Sequence, residues 1–235
     1  STDFKTVAMT TGVAAAHVLV LVLSRDLGNA LIFFLTYLFM LFVATGKWLY
    51  LGSGLAAGCA ASVAAYRLFP HVQRRVAAWR DPWSDVADTG YQIAQSLFAI
   101  GTGGWLGMGL GRGLPEKIPV VEEDFMISAV AEELGGLFAI CLILICLGCF
   151  LQFMMIAVRM QAMFYKLIAF GLGCEYIVQV LLTVGGAVKF IPLTGVTLPL
   201  VSYGGSSVAG TFILFSVIQG LYILKRNEEE EDEEK

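Results

Sequence analysis

Five carboxylates gather where an apolar run begins. In PVVEEDFMISAVAEELGG, residues 119–136, Glu122, Glu123 and Asp124 stand directly before the run, and Glu132 and Glu133 lie inside its first turns. Such groups can take a proton, hold a cation or simply sit solvated at a helix N-terminus, where the helix dipole favours negative charge. At the centre of a membrane-spanning helix an ionised acid costs about 2.5–3.5 kcal/mol, and less near its end. Asp124 and its two neighbours therefore read as solvated helix-start charges or as functional groups. Glu132 and Glu133 follow six apolar or small residues and stand about 100° apart on a helix. At least one is expected to point inward, as a hydrogen-bonded structural pair or as part of a polar site. Asp124 and Glu132 share a face roughly, with Ser128 between them.

Two further stretches carry chemistry. GTGGWLGMGLGRG places glycine at 101, 103, 104, 107, 109, 111 and 113, which lets backbone approach a ligand closely or adopt positive φ. It is no nucleotide loop, having neither GK[ST] nor a strand-to-helix setting. A re-entrant dip at the membrane surface, against protein or a water-filled cavity, is expected. KFIPLTGVTLPLVSYGGSS, 189–207, is punctuated by Pro192, Gly195, Pro199, Gly204 and Gly205, which forbid a regular helix. Thr194, Thr197, Ser202, Tyr203, Ser206 and Ser207 arm it with neutral hydrogen bonders. Such a lip suits a polyhydroxylated ligand; a plain structured loop is the alternative.

The elements that position these groups are membrane spans. The chain is 57% hydrophobic and 14% charged, where soluble domains run about 45–50% and about 25%. Six apolar runs of bilayer-crossing length fall near 6–24, 28–46, 48–67, 126–158, 166–188 and 207–224. The fold class expected is an all-α integral membrane protein. The first run lacks an A-x-A cleavage pattern and is followed by more spans, so it reads as a span rather than a signal peptide. In the short loops and at the span ends Lys5, Lys47, Arg159, Lys166, Lys225 and Arg226 fall on one side, and Arg25 and Lys189 on the other. That asymmetry puts both ends and the acidic tail 226–235 in the cytoplasm, and the long loop 68–125 outside. In that loop PHVQRRVAAWR sets Val72, Val76 and Trp79 on one helical face with the arginines off it, an interfacial helix. TGYQIAQSLFAIG is a second short apolar helix.

Lesser polar features read mostly as structure. Glu175 and Gln179, at i and i+4 in the fifth span, share a face expected to look inward, as helix glue or as a polar cavity. His17 reads as packing and Asp26 as a cap for the second helix. The five cysteines, including the Cys146–Cys149 CxxC, read as buried small hydrophobes. The tail EEEEDEEK reads as solvated and disordered. Without it the charge is near balance, and no nucleic-acid partner is implied.

In order and spacing, GYQIAQSLFAIGTGGWLGMGLGRG, PVVEEDFMISAVAEELGG and IPLTGVTLPLVSYGGSS closely resemble the signature stretches of the SEDS family (shape, elongation, division and sporulation; FtsW, RodA and SpoVE). RDLGNALIFF resembles its DLG segment, and the resemblance covers about residues 20–225. Family members have ten spans, and the six here correspond to the last six. Many relatives carry His-Thr before the aspartate, where this chain has Glu122-Glu123. The resemblance implies a peptidoglycan glycosyltransferase of the bacterial inner membrane. It polymerises lipid II, an undecaprenyl-pyrophosphate-linked disaccharide, beside a class B penicillin-binding protein that crosslinks the strands.

Asp124 then corresponds to the catalytic aspartate, with Glu122 and Glu123 tuning it or binding a cation and Glu132 and Glu133 anchoring the cavity floor. Burial and the neighbouring acids are expected to raise its pKa. Arg112, Lys117, Lys189, the Arg74/Arg75/Arg80 cluster or a divalent ion such as Mg or Mn would match the pyrophosphate charge. The alternatives are a lipid-linked precursor transporter, disfavoured by the absence of an inverted repeat, and a non-catalytic scaffold of the division or elongation complex.

Overall fold

In a computed structural model the described residues, 4–84 and 89–233, form α-helices and connecting loops with no strand among them. The helices are α1 Phe4–Leu23, α2 Leu27–Thr45, α3 Trp48–Leu68, α4 Pro70–Arg80, α5 Thr89–Gly103, α6 Met126–Leu134, α7 Gly136–Arg159, α8 Met163–Ala187 and α9 Gly205–Glu233. A 3-10 turn, Pro115–Lys117, precedes α6. Six of these (α1, α2, α3, α7, α8 and α9 as far as Asn227) are long and apolar enough to cross a bilayer. The architecture is that of an all-α, multi-pass membrane protein.

Local signals account for the helix ends. Asp26 caps α2, accepting from the Asn29 backbone N–H at 3.2 Å and from Asn29 Nδ2 at 2.8 Å. Gly46, at φ 66°, closes the same helix through its N–H to the Phe42 carbonyl. Pro70 opens α4 at its first turn, where a missing N–H costs nothing.

The chain divides into two compact units. The first holds the chain up to Gly54, Leu147–Val178 and the segment from Gly205. In it α1 packs on α2, with the Thr11 and Tyr37 hydroxyls 2.7 Å apart. Phe153, Tyr176 and Phe215 meet edge-on with centroids 5.2–5.7 Å apart. His17 stacks on Phe33 at 5.1 Å, a packing role.

The second unit, Leu55–Cys146 and Gln179–Gly204, holds α4, α5, α6 and both loops singled out by the sequence. Here α5 packs on α4 and α6. Ser96 of α5 and Ser128 of α6, both fully buried, lie 2.7 Å apart, and Ser96 Oγ donates to the Ala187 carbonyl at the end of α8 at 2.8 Å. Three helices are thus pinned at one point.

Five expectations need correction. The run 126–158 is two helices, because Gly135 at φ 91°, ψ 162° breaks it in a conformation open essentially to glycine. α9 continues as helix to Glu233, with Arg226 Nε 2.9 Å from Glu230 Oε1, so the tail extends the span rather than leaving it disordered. Glu175 is exposed, whereas Gln179 is half-buried and donates Nε2 to the Thr197 carbonyl at 2.9 Å. α8 passes from one unit to the other between them, so a shared face does not give shared surroundings. Arg75 is half-buried on the inner side of α4, not off it with Arg74 and Arg80. Of the cysteines only Cys146 and Cys174 are buried, while Cys59 and Cys141 are exposed.

Candidate active site

Asp124 leaves a strained turn. Val120, at φ 57°, is a β-branched residue in the left-handed region, and its carbonyl accepts the N–H groups of both Glu123 (3.1 Å) and Asp124 (3.2 Å). Immediately after Asp124, Phe125 is wholly buried and α6 begins. The turn thus drives an aromatic into the core while leaving the preceding carboxylate at the rim. Asp124 is half-buried, and its pKa is pushed up to about 6. Burial is the main cause, the Glu123 charge adds to it, and the Arg75 guanidinium opposes it.

Arg75 comes from the inner face of α4, whose exposed stripe is Gln73, Arg74, Ala77 and Arg80. Its Nη1 donates to the carbonyls of Leu193 (3.4 Å) and Thr194 (3.0 Å). Gly195, at φ 74°, takes the left-handed turn beside Arg75 that a larger residue would adopt only with strain. One turn along α4, Trp79 Nε1 donates to the Lys189 carbonyl at 3.1 Å. The far end of the same loop returns to the acidic turn, where the Tyr203 N–H donates to the Glu122 carbonyl at 2.7 Å. The loop after α8 is therefore fastened at one end to α4 and at the other to the residues before Asp124.

Its polar groups divide into struts and free ends. Ser202 is buried, its hydroxyl accepting from the Leu198 N–H at 3.0 Å, and Thr183 Oγ1 donates to the Val196 carbonyl at 2.8 Å. Thr194 Oγ1 is buried without a partner. Tyr203 is 70% exposed. Ser206 and Ser207 lie not in the loop but in the first turn of α9, in the other unit.

The glycine run docks backbone on backbone at the α6–α7 break. Met108 and Gly109 donate to the carbonyls of Glu132 (2.9 Å) and Glu133 (3.0 Å), while Gly104 and Trp105 accept from Gly136 (2.8 Å) and Leu137 (3.2 Å). The helical bonds lost at Gly135 are replaced in this way. A Cβ at Gly103, Gly107 or Gly135 would run into the opposing backbone. The glycines, which could have let backbone approach a ligand or take positive φ, serve a close approach of two chain segments.

Glu133 Oε1 accepts from the Gly111 N–H at 3.1 Å, and Glu132 is buried with Oε2 unpartnered. Both hold or face the glycine loop. Glu122, Glu123, Arg112 and Lys117 are exposed, and Lys189 Nζ donates to the Arg80 carbonyl at 3.5 Å. Among the described residues no three His, Cys, Asp or Glu side chains converge as a metal cage. A backbone bond ties the acidic turn to the loop at Glu122 and Tyr203, and Arg75 and Trp79 tie α4 to the same loop at Lys189, Leu193 and Thr194.

Sequence reasoning undervalued Arg75, which belongs with Val72, Val76 and Trp79 at positions i+3, i, i+4 and i+7 of one face. Its charge argued for the outside; its spacing argued for the inside. Ser96 gave no signal, because a lone serine in an apolar helix has no periodic signature.

The chain was compared with known proteins. The model of the FtsW/RodA/SpoVE family, described as cell cycle proteins, matches residues 2–227. "Peptidoglycan glycosyltransferase RodA" of Mycobacterium tuberculosis is 38% identical over 199 residues, 85% of this chain and 42% of that protein. "Probable peptidoglycan glycosyltransferase FtsW" of Aliivibrio salmonicida is 37% identical over 211 residues, 86% and 51% of the respective chains. A solved chain described under "Structural coordination of polymerization and crosslinking by a peptidoglycan synthase complex" superposes with TM-score 0.75 at 26% identity, covering 94% of this chain and 61% of that one. The chain spans about half the length of the curated relatives it matches. With the family model matched over nearly all its residues, the chain belongs to the FtsW/RodA/SpoVE family of multi-pass bacterial membrane proteins.

Proposed function

We propose that the protein carrying this chain is a peptidoglycan glycosyltransferase that polymerises lipid II into β-1,4-linked glycan strands, with Asp124 as its general base. The observation that carries the reading is the Asp124 carboxyl itself, half-buried at the head of α6, raised to about 6 and facing the Arg75 charge. A base is most useful when its pKa lies near the working pH, and proton removal of this kind contributes roughly 10²–10⁴-fold.

In this mechanism the acceptor sugar hydroxyl attacks the anomeric carbon of the lipid-linked donor. Asp124 takes the hydroxyl proton as the new C–O bond forms. The bond from the anomeric carbon to the pyrophosphate breaks, and its electron pair leaves on the phosphate oxygen. That anion needs no proton but does need matching charge, for which Arg112, Lys117 and Lys189 are the cations at hand. A divalent ion such as Mg or Mn would be held by Glu122 or Glu123 together with the pyrophosphate, since Mg typically binds through one or two carboxylates plus substrate phosphates, and would supply further charge neutralisation. Exposed Tyr203 is the hydrogen-bonding group offered to the sugars, whereas the Thr194 hydroxyl is buried away from them.

The family's peptidoglycan synthase complex leads us to assign a class B penicillin-binding protein as partner. The site is assigned to the outer face of the inner membrane. The test is direct: the protein, purified with its transpeptidase, receives fluorescent lipid II, and glycan length is read on a gel. Polymer with release of undecaprenyl pyrophosphate is expected. Lipid II left intact, under conditions where a related polymerase elongates it, overturns the reading in favour of transport or scaffolding.

A further inference from the structure

One cavity in the second unit has no part in the chemistry above. Its volume is about 380 Å³, and every residue lining it is apolar or glycine. Ile127 and Ala131 of α6 form one wall, Ala139 and Ile143 of α7 another, and Val184 of α8 and Val188, just past its end, close it. It opens to the surroundings where Ile140 and Val188 are each 45% exposed.

Position fixes what can enter. Gly136, where α7 begins, also lines the cavity, and Ile143 lies about 10 Å further along that helix at 1.5 Å per residue. Both α7 and α8 are membrane-crossing helices, so the cavity runs from the edge of the bilayer into hydrocarbon depth. Only hydrocarbon chains and other protein helices are available there.

The volume suits a single hydrocarbon chain. A dry apolar cavity of about 150 Å³ accepts benzene, and in proportion this one accepts a single chain of about a dozen carbons.

The wall that decides which chain is α6. Ile127 and Ala131 line the cavity, and Asp124 stands three residues before Ile127. A chain seated against α6 thus presents its head group at the level of the Asp124 turn.

We propose that this groove between α6, α7 and α8 seats the polyprenyl chain of a lipid-linked sugar substrate and so brings its head group into register with Asp124. The proposal rests on the glycosyltransferase reading and adds a specificity site to it. Small residues make the groove: Gly104, Ala131, Gly136 and Ala139 leave the space that larger side chains would fill. Chain length then enters recognition, since each buried methylene contributes about 0.8 kcal/mol.

The test uses the protein in nanodiscs with two photoactivatable probes, a diazirine-bearing polyprenyl diphosphate and a phosphatidylglycerol carrying the same group in its acyl chain. The polyprenyl probe is expected to label the peptides around Ala139–Ile143 and Val184–Val188, and unlabelled polyprenyl diphosphate to displace it. Ala139→Phe and, at the exposed rim, Val188→Trp fill the groove from opposite walls. Each is expected to lower labelling and raise KM for long-chain donor by about tenfold, leaving a donor on a single five-carbon prenyl unit, too short to reach into the groove, unaffected. Equal labelling by the phospholipid, undisplaced by polyprenyl diphosphate, overturns the proposal, as does cross-linking of the groove to a partner helix. Unchanged chain-length preference in folded Val188→Trp also overturns it. Those failures would coexist with normal glycan polymer, whereas failure of the glycosyltransferase reading would abolish polymer from every donor.

Discussion

Asp124 is held by its surroundings between two needs. The fold raises its pKa from 3.8 to about 6, so the protonated form is the one the folded chain prefers. Its contribution to stability is full below pH 4 and is lost as pH rises through 6. Its proposed use as a base runs the other way, growing as pH rises through 6. Asp124→Asn is therefore expected to raise the melting temperature at pH 7.5 but not at pH 4, while removing activity by about 10²–10⁴-fold. Thermal unfolding in detergent at the two pH values checks the first part. Glu123 pushes the pKa up and Arg75 pulls it down. The acid limb of the pH–rate profile is thus expected to move to lower pH in Glu123→Gln and to higher pH in Arg75→Gln. Identical limbs in all three proteins would remove electrostatic tuning of Asp124 from the account.

The elements divide into those that carry the site and those that clamp it. The Ser96–Ser128 pair joins α5 and α6 and reaches the end of α8. Ser96→Ala leaves buried partners unpaired and is expected to cost about 1–3 kcal/mol, read as a lowered melting temperature. Gly135→Ala has a larger expected effect, because a Cβ there meets the backbone of Trp105 and Gly107 at positive φ. It is expected to detach the glycine loop, exposing the amides of Met108 and Gly109 to hydrogen exchange that the wild type resists.

The six spans were legible from apolar runs alone, because length and hydropathy set them. The break at Gly135 was not, since both flanks are apolar and only the docked glycine loop shows what replaces the lost helical bonds. The acidic turn and the Pro-punctuated loop stood out as a candidate site through their residue types. Their fastening was not, because Arg75 and Trp79 bind backbone carbonyls, which leave no trace in side-chain identity.

At the scale of the molecule, parity and contact agree. If all six candidate helices cross, the segment between α3 and α7 and the loop between α8 and α9 emerge on the same side. Those segments are the ones joined through Arg75, Trp79 and Tyr203. From the Lys and Arg asymmetry of the short loops we propose that this side is the exterior. Cysteine introduced at Glu116 is expected to react with an impermeant maleimide in intact cells, and cysteine at Arg226 only after permeabilisation. The reverse pattern would move the site to the cytoplasm, away from any extracytoplasmic glycan.

The most direct measurement compares wild type with Asp124→Asn, each purified with its transpeptidase and given fluorescent lipid II at pH 7.5. The account predicts glycan polymer from the wild type and none from the variant, with both proteins folded and both binding the partner. Equal polymer from the two would contradict it and remove Asp124 as the base.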